Sequence, residues 1–238
     1  MKLLISPMNS VEAAEAVAGG ADIIDVKNPA EGSLGANFPW VIRELREAVP
    51  EGIEVSATVG DFPNLPGSAS LAALGAAVCG VDYVKVGLYG VKSEDEADYF
   101  AKMVVKSVKD FNPNVSVVLA AYADYRRIGS IDFKALPDVA SNAGADVVMI
   151  DTAIKDGKRL FDHAGLTELS GFVLSAHRMG LKAAFGGSIL GEDFPALCDI
   201  GVDIIGVRGA ACEGEDRNSH IKAAKVRALK SQLLECLK

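Results

Sequence analysis

Short aliphatic runs alternate with longer stretches of helical periodicity from one end of the chain to the other. The runs fall at 2–6, 22–27, 54–59, 82–87, 115–121, 146–151, 182–186 and 203–208. They are rich in Val, Ile and Ala and bounded by Gly, Pro, Asn or Asp, the pattern of strands buried on both faces of a parallel sheet. Helical spacing occupies 10–18, 39–49, 68–79, 93–111, 131–143, 166–179, 193–200 and 216–237. The first of these opens on Ser10 as N-cap, with Val11, Ala14 and Val17 on one face. Gly19, Gly80, Gly144, Gly180 and Gly201 stand at or near helix ends. Eight strand–helix units with no change of texture predict one α/β domain over 1–238. The count of eight and the length of 238 residues favour a closed (β/α)8 TIM barrel over a doubly wound open sheet.

An internal repeat, G-[AV]-D followed by two apolar residues, begins at Gly20, Gly80, Gly144 and Gly201. The copies are 60, 64 and 57 residues apart, two strand–helix units each, so they mark strands two, four, six and eight. Side chains alternate across a strand, which lets the repeat be read face by face. Four residues after the glycine stand Ile24, Val84, Val148 and Ile205, and six after it Val26, Val86, Ile150 and Val207. These β-branched aliphatics suit the outer face under the helices. Three after the glycine, Ile23, Tyr83, Val147 and Ile204 form an interior core layer.

The same alternation sends charge inward. Five after the glycine come Asp25, Lys85, Met149 and Gly206; seven after it come Lys27, Gly87, Asp151 and Arg208. Alternate strands share interior layers, so these residues are predicted to form two layers at the carboxyl-terminal mouth, where barrel active sites sit. Buried ion pairs stabilise poorly, which favours a functional reading of such a cluster over a structural one. A lysine is protonated at neutral pH until burial or a second cation frees its amine. The free amine can attack a carbonyl to form an imine, which acidifies the neighbouring carbon. Lys27 and Lys85 are placed to perturb each other, with Asp25 and Asp151 steering protons; the spacing does not say which lysine is the nucleophile. Gly186-Gly187-Ser188 after strand seven and Arg208-Gly209 after strand eight occupy the usual phosphate-binding positions of a barrel. The loops 30–39 and 155–162 are long enough to cover a substrate.

Composition narrows the class. Half the residues are hydrophobic and only 6% aromatic, so the core is aliphatic and small-residue packing. The net charge of −8 argues against a broad nucleic-acid or anionic-membrane surface, while leaving room for a local cationic pocket. No apolar run approaches a membrane span, and the amino-terminal run is too short for a signal peptide, so a cytoplasmic location is expected. Cys79, Cys198, Cys212 and Cys236 show no metal-binding or disulfide spacing, and no metal is expected. His163, His177 and His220 read as surface or core residues, and Lys222, Lys225, Arg227 and Lys230 as a solvated face of the last helix. Nothing in the pattern specifies an oligomeric state, and a homo-oligomer is compatible with it.

The segments DVKNPAEGSLGAN (25–37), VKVGL (84–88) and DTAIKDGK (151–158) are specific rather than general barrel motifs. With them the chain, along essentially its whole length, resembles the (5-formylfuran-3-yl)methyl phosphate synthases, also called 4-(hydroxymethyl)-2-furancarboxaldehyde-phosphate synthases, of methanofuran biosynthesis. The resemblance implies a lyase that condenses two molecules of glyceraldehyde 3-phosphate into a phosphorylated furan aldehyde with loss of phosphate and water. It implies an imine on Lys27 and a proton acceptor in Lys85, and it matches Asp25, Asp151 and Lys155 to the family's remaining site positions. An iminium electron sink requires no organic cofactor or metal. The rival expectations are a class I aldolase or transaldolase acting on other sugar phosphates, a non-catalytic phosphate-metabolite sensor, and an epimerase with a metal on Asp25 and Asp151.

Overall fold

The computed structural model describes residues 1–237. Eight parallel strands close into a barrel in chain order, each pairing with its sequence neighbours and β1 with β8. They are β1 (Lys2–Ile5), β2 (Ile23–Val26), β3 (Glu54–Pro63), β4 (Tyr83–Gly90), β5 (Ser116–Tyr122), β6 (Val147–Asp151), β7 (Lys182–Phe185) and β8 (Ile204–Val207). Around them lie α1 (Ser10–Gly19), α2 (Pro39–Ala48), α3 (Pro66–Val78), α4 (Glu94–Phe111), the single turn α5 (Tyr125–Ile128) and α6 (Leu136–Ala143). The shell is completed by the single turn α7 (Leu160–His163), α8 (Leu166–Arg178), α9 (Phe194–Asp199) and α10 (Ala223–Cys236). The chain is a single-domain (β/α)8 barrel.

Two separate apolar clusters follow from the alternation. The residues four and six after each repeat glycine are buried between barrel and helices, whereas Ile23, Tyr83, Val147 and Ile204 pack inside the barrel with Leu4, Val118, Met149 and Ala184. Each fully buried aliphatic side chain contributes about 1.5–3 kcal/mol of transfer free energy.

The aspartate of the repeat has a structural task at the amino-terminal end of the barrel. Asp22, Asp82, Asp146 and Asp203 accept the backbone N–H of Leu3, Val55, Val117 and Ala183, at or near the start of the preceding strand, at 2.7–2.8 Å. Each also meets a basic side chain from a helix: Lys230, Arg46, Lys109 and His177, respectively. The repeat therefore ties strand to strand and sheet to helix at the end opposite the mouth. Its glycines hold φ of +75° to +91°, the left-handed conformation that terminates a helix without a Cβ clash.

Several boundaries differ from the sequence pattern. The N-cap of α1 is Asn9, whose side chain accepts the Glu12 N–H, rather than Ser10, and Gly19 stays helical, with Gly20 as the cap. β3 and β4 run on past the barrel rim, with register shifts at Asp61 and Pro63, because Gly60 at φ +125° lets the strand bend. The last helix begins at Ala223 rather than 216. Asp216 accepts the Asn218 N–H at 2.9 Å, a turn that competes with helix formation. The basic face of α10 is less solvated than its spacing suggests, since Lys230 binds Asp22 and Arg227 donates to the Ala18 carbonyl of α1. Among the described residues no helix is long and apolar enough to cross a membrane, and all four cysteines are free thiols.

Candidate active site

Interior layering brings the predicted charges together in pairs. In the layer five after the repeat glycine, Lys85 Nζ on β4 donates to Asp25 Oδ2 on β2 at 2.8 Å. Both are almost wholly buried, and the same Asp25 oxygen accepts from Ser6 Oγ at 3.0 Å. Asp25 Oδ1 is buried with no hydrogen-bond partner among the described residues. In the layer seven after the glycine, Lys27 Nζ lies 4.0 Å from Asp151 Oδ2. Asp151 Oδ1 accepts from Lys155 Nζ at 2.8 Å and from the Thr152 N–H at 2.7 Å. Lys155 also reaches Thr152 Oγ1 at 2.9 Å.

The three lysines are not equivalent. Lys85 and Lys155 donate hydrogen bonds to carboxylates, whereas the Lys27 ammonium has only the longer contact with Asp151. Burial pushes the Lys27 pKa down to about 8 against the upward pull of Asp151, and Lys155 and Lys85 push it the same way as burial. Burial alone would raise Asp151, but Lys155, Lys27 and the Thr152 amide hold it at about 2. An amine that gives up its proton near pH 8 thus faces a firmly ionised carboxylate.

These groups open into a cavity of about 280 Å³, lined by Lys27, Lys85, Asp151 and Lys155 on one side and by the turns after β7 and β8 on the other. Gly186, Gly187, Ser188 and Gly209 all line it. At Gly186 a Cβ would stand 3.1 Å from Asp151 Oδ2, and at Gly187 it would stand 3.0 Å from Thr152 Cγ2. The glycines therefore let the β7 turn close on the carboxylate end of β6. The other half of the mouth is plugged by the loop after β2. Ser33 Oγ donates to the Thr152 carbonyl, and Leu34 N–H to Asp61, whose carboxylate also accepts the Tyr122 hydroxyl.

Arg208 differs from its expected part. Its guanidinium turns to Glu12 at the start of α1 and donates to Glu12 Oε2 at 2.9 Å and Oε1 at 3.4 Å. It also donates to the carbonyls of Ser6, Arg217 and Ser219. All its donors are thereby engaged, so the side chain does not present a free fork to an anion. Sequence reasoning missed Ser6, Thr152, Asp61, Tyr122 and Arg217. Only the register past the rim and the turn chemistry at 216–219 carry a signal for them. Asp25 and Asp151 are engaged by lysines, and among the described residues no group of three His, Cys, Asp or Glu side chains could hold a metal.

Fold and mouth together define a (β/α)8-barrel enzyme built around buried lysines. The family model described as 4-HFC-P synthase matches residues 3–230, and the chain belongs to that family. It is 59% identical over 219 residues to a (5-formylfuran-3-yl)methyl phosphate synthase of Methanococcus maripaludis, covering 92% of this chain and 93% of that one. It is 56% identical to the protein of that name from Methanopyrus kandleri, covering 98% of both. Among solved structures, 3-hexulose-6-phosphate synthase superposes with a TM-score of 0.66 at 20% identity, covering 98% of this chain and 100% of that chain. Phosphoribosyl anthranilate isomerase from Thermus thermophilus does so with 0.63 at 16%, covering all of both chains. Those two likenesses show the fold alone.

Proposed function

We propose that the enzyme condenses two molecules of glyceraldehyde 3-phosphate into (5-formylfuran-3-yl)methyl phosphate, with loss of one phosphate and of water, through an imine on Lys27. The observation that carries this reading is the Lys27 amine itself: buried, lowered to about 8, and not hydrogen-bonded to the carboxylate it faces. Such an amine is a nucleophile near neutral pH, whereas a fully paired lysine is not.

In this reading Lys27 attacks the aldehyde carbon of one triose phosphate, and the carbinolamine loses water to give the iminium. The positive nitrogen acidifies the adjacent carbon. Lys85, once its own proton has passed to Asp25 along their 2.8 Å hydrogen bond, takes and then returns the proton there. Asp151, held ionised by Lys155, stabilises the iminium that forms a few ångströms away. The resulting enamine expels its own phosphate, and the carbon so freed attacks the carbonyl of the second triose phosphate, isomerised to the ketone. Ring closure by that triose's free hydroxyl, dehydration and hydrolysis of the iminium then give the furan aldehyde and return the Lys27 amine.

The backbone of Gly186, Gly187, Ser188 and Gly209 is the proposed cradle for a phosphoryl group, as their place in the cavity wall allows. The substrate is a phosphorylated triose, and the setting is methanofuran biosynthesis in the cytoplasm. Incubation with glyceraldehyde 3-phosphate alone tests the reading. A furan chromophore in the ultraviolet should accumulate with one inorganic phosphate per product. A non-aromatic aldol product with both phosphates retained would instead mark a conventional aldolase.

A further inference from the structure

Of the cationic side chains that line the cavity, Arg208 and Arg217 take no part in the proposed chemistry, and Arg208 is fully engaged by Glu12 and backbone carbonyls. Arg217 sits in a strap of residues between β8 and α10, lines the mouth cavity, and makes no side-chain hydrogen bond or ion pair among the described residues. The strap is pinned rather than loose. Its base is closed by the antiparallel bridge between Cys212 and Ile221 and by the Glu213 N–H bond to the His220 carbonyl. It rests on Gly209, where a Cβ would stand 3.2 Å from the Glu215 carbonyl oxygen.

Arg208 grips the strap from below, donating through Nε to the Arg217 carbonyl at 2.6 Å and through a terminal nitrogen to the Ser219 carbonyl at 3.4 Å. Glu12 neutralises that grip from α1. Two acidic neighbours share the rim but are otherwise occupied. Glu215 faces Lys225 at 3.8 Å, and Asp216 accepts the Asn218 N–H.

We propose that Arg217, positioned by the Arg208–Glu12 clamp, is the side chain that binds a phosphoryl group of the substrate in this cavity. A half-buried guanidinium without a partner has lost hydration and gained nothing in exchange. A phosphate monoester restores both, since its oxygens match the planar fork. Burial lowers the Arg217 pKa, and Asp151 across the mouth opposes that shift while Arg208 adds to it. The sequence places two arginines near the eighth strand, and the geometry separates their tasks: one holds backbone, the other faces the ligand.

The inference rests on the phosphorylated substrate proposed above, and the test keeps the two apart. Inorganic phosphate binding is measured by calorimetry for wild type, Arg217→Gln and Arg217→Lys, beside steady-state kinetics with glyceraldehyde 3-phosphate. Borohydride trapping of unphosphorylated glyceraldehyde is run in parallel. Arg217→Gln should weaken phosphate binding and raise KM by about tenfold or more, with kcat within a few fold and trapping of glyceraldehyde unchanged. Arg217→Lys should restore part of the affinity. Arg208→Lys, which keeps charge but loses the carbonyl contacts, should raise the same KM with kcat little changed.

Phosphate affinity and KM both within twofold of wild type in Arg217→Gln would overturn the assignment. So would a fall in kcat at unchanged KM, which would put Arg217 at the reacting atoms. If Arg208→Lys lowers stability alone, the clamp is removed from the account. Loss of phosphate affinity in Arg217→Gln, in an enzyme that traps nothing at Lys27, would sink the imine chemistry and leave the anion site standing.

Discussion

Lys27 Nζ and Asp151 Oδ2 face each other at 4.0 Å from equivalent positions of two repeat copies, while Lys155 occupies the other Asp151 oxygen at 2.8 Å. The carboxylate is thus shared unequally. It is close enough to Lys27 to receive a developing iminium, and sufficiently bound to Lys155 that it does not hold Lys27 as a tight ion pair.

That asymmetry sets a pH dependence. With its pKa near 8, the Lys27 amine is neutral in about one molecule in a hundred at pH 6 and in most molecules by pH 9. The rate of imine trapping with limiting borohydride should therefore rise with pH and level off above about 8. Because the Asp151 charge raises the Lys27 pKa, Asp151→Asn should move the midpoint of that trapping profile to lower pH. A midpoint displaced upward would contradict the assigned geometry.

Stability should bear the mark of the same group. The unfolded chain keeps Lys27 at its ordinary 10.5, so between about 8 and 10.5 the unfolded state binds more protons and stability rises with pH. Below about pH 8 the full penalty is present, up to about 3 kcal/mol by linkage. Lys27→Met removes it and leaves Asp151 with Lys155. The variant should melt several degrees above wild type at pH 7, with a gain that shrinks toward pH 10, as differential scanning calorimetry would show. An equal gain at both pH values would place its origin elsewhere.

Lys85→Met should do the opposite. Asp25 is fully buried and Lys85 is its ion-pair partner, so the variant leaves a buried carboxyl group with only the Ser6 hydroxyl. Breaking a buried pair from one side costs about 3–5 kcal/mol. The unfolding midpoint in urea should fall accordingly. A variant as stable as wild type would mean that the Lys85–Asp25 pair contributes nothing to the fold.

The barrel's other end offers a control far from chemistry. Asp146→Ala strands the buried Val117 N–H and releases Lys109, for about 1–3 kcal/mol. Melting should drop by roughly 2–4 °C per kcal/mol with kinetic constants at 25 °C unchanged. Altered KM or kcat would show that the two ends of the barrel are coupled.

Much of this was legible in the chain because the strand period is two and the repeat sets the phase. Once Gly20, Gly80, Gly144 and Gly201 were aligned, Asp25 and Lys85 fell into one layer and Lys27 and Asp151 into the next, while the pairing within each layer came only with the structure. What stayed hidden lies where no period operates. Helical spacing over 216–237 ran into the strap at 212–221, which is instead held by carbonyl contacts to Arg208 that no composition reveals. Arg208 has the right strand phase, yet the buried Glu12 on a distant helix draws its guanidinium away. The role of the repeat aspartates was likewise invisible, since their partners are backbone N–H groups of another strand.

The central claim is the covalent one, and borohydride reduction in the presence of glyceraldehyde 3-phosphate followed by peptide mass mapping tests it most directly. A single reduced adduct on Lys27, absent from a folded Lys27→Arg variant that has also lost turnover, is the predicted result, because arginine keeps the charge but forms no imine. An adduct on Lys85 or Lys155 instead, or turnover near wild type in Lys27→Arg, would contradict it.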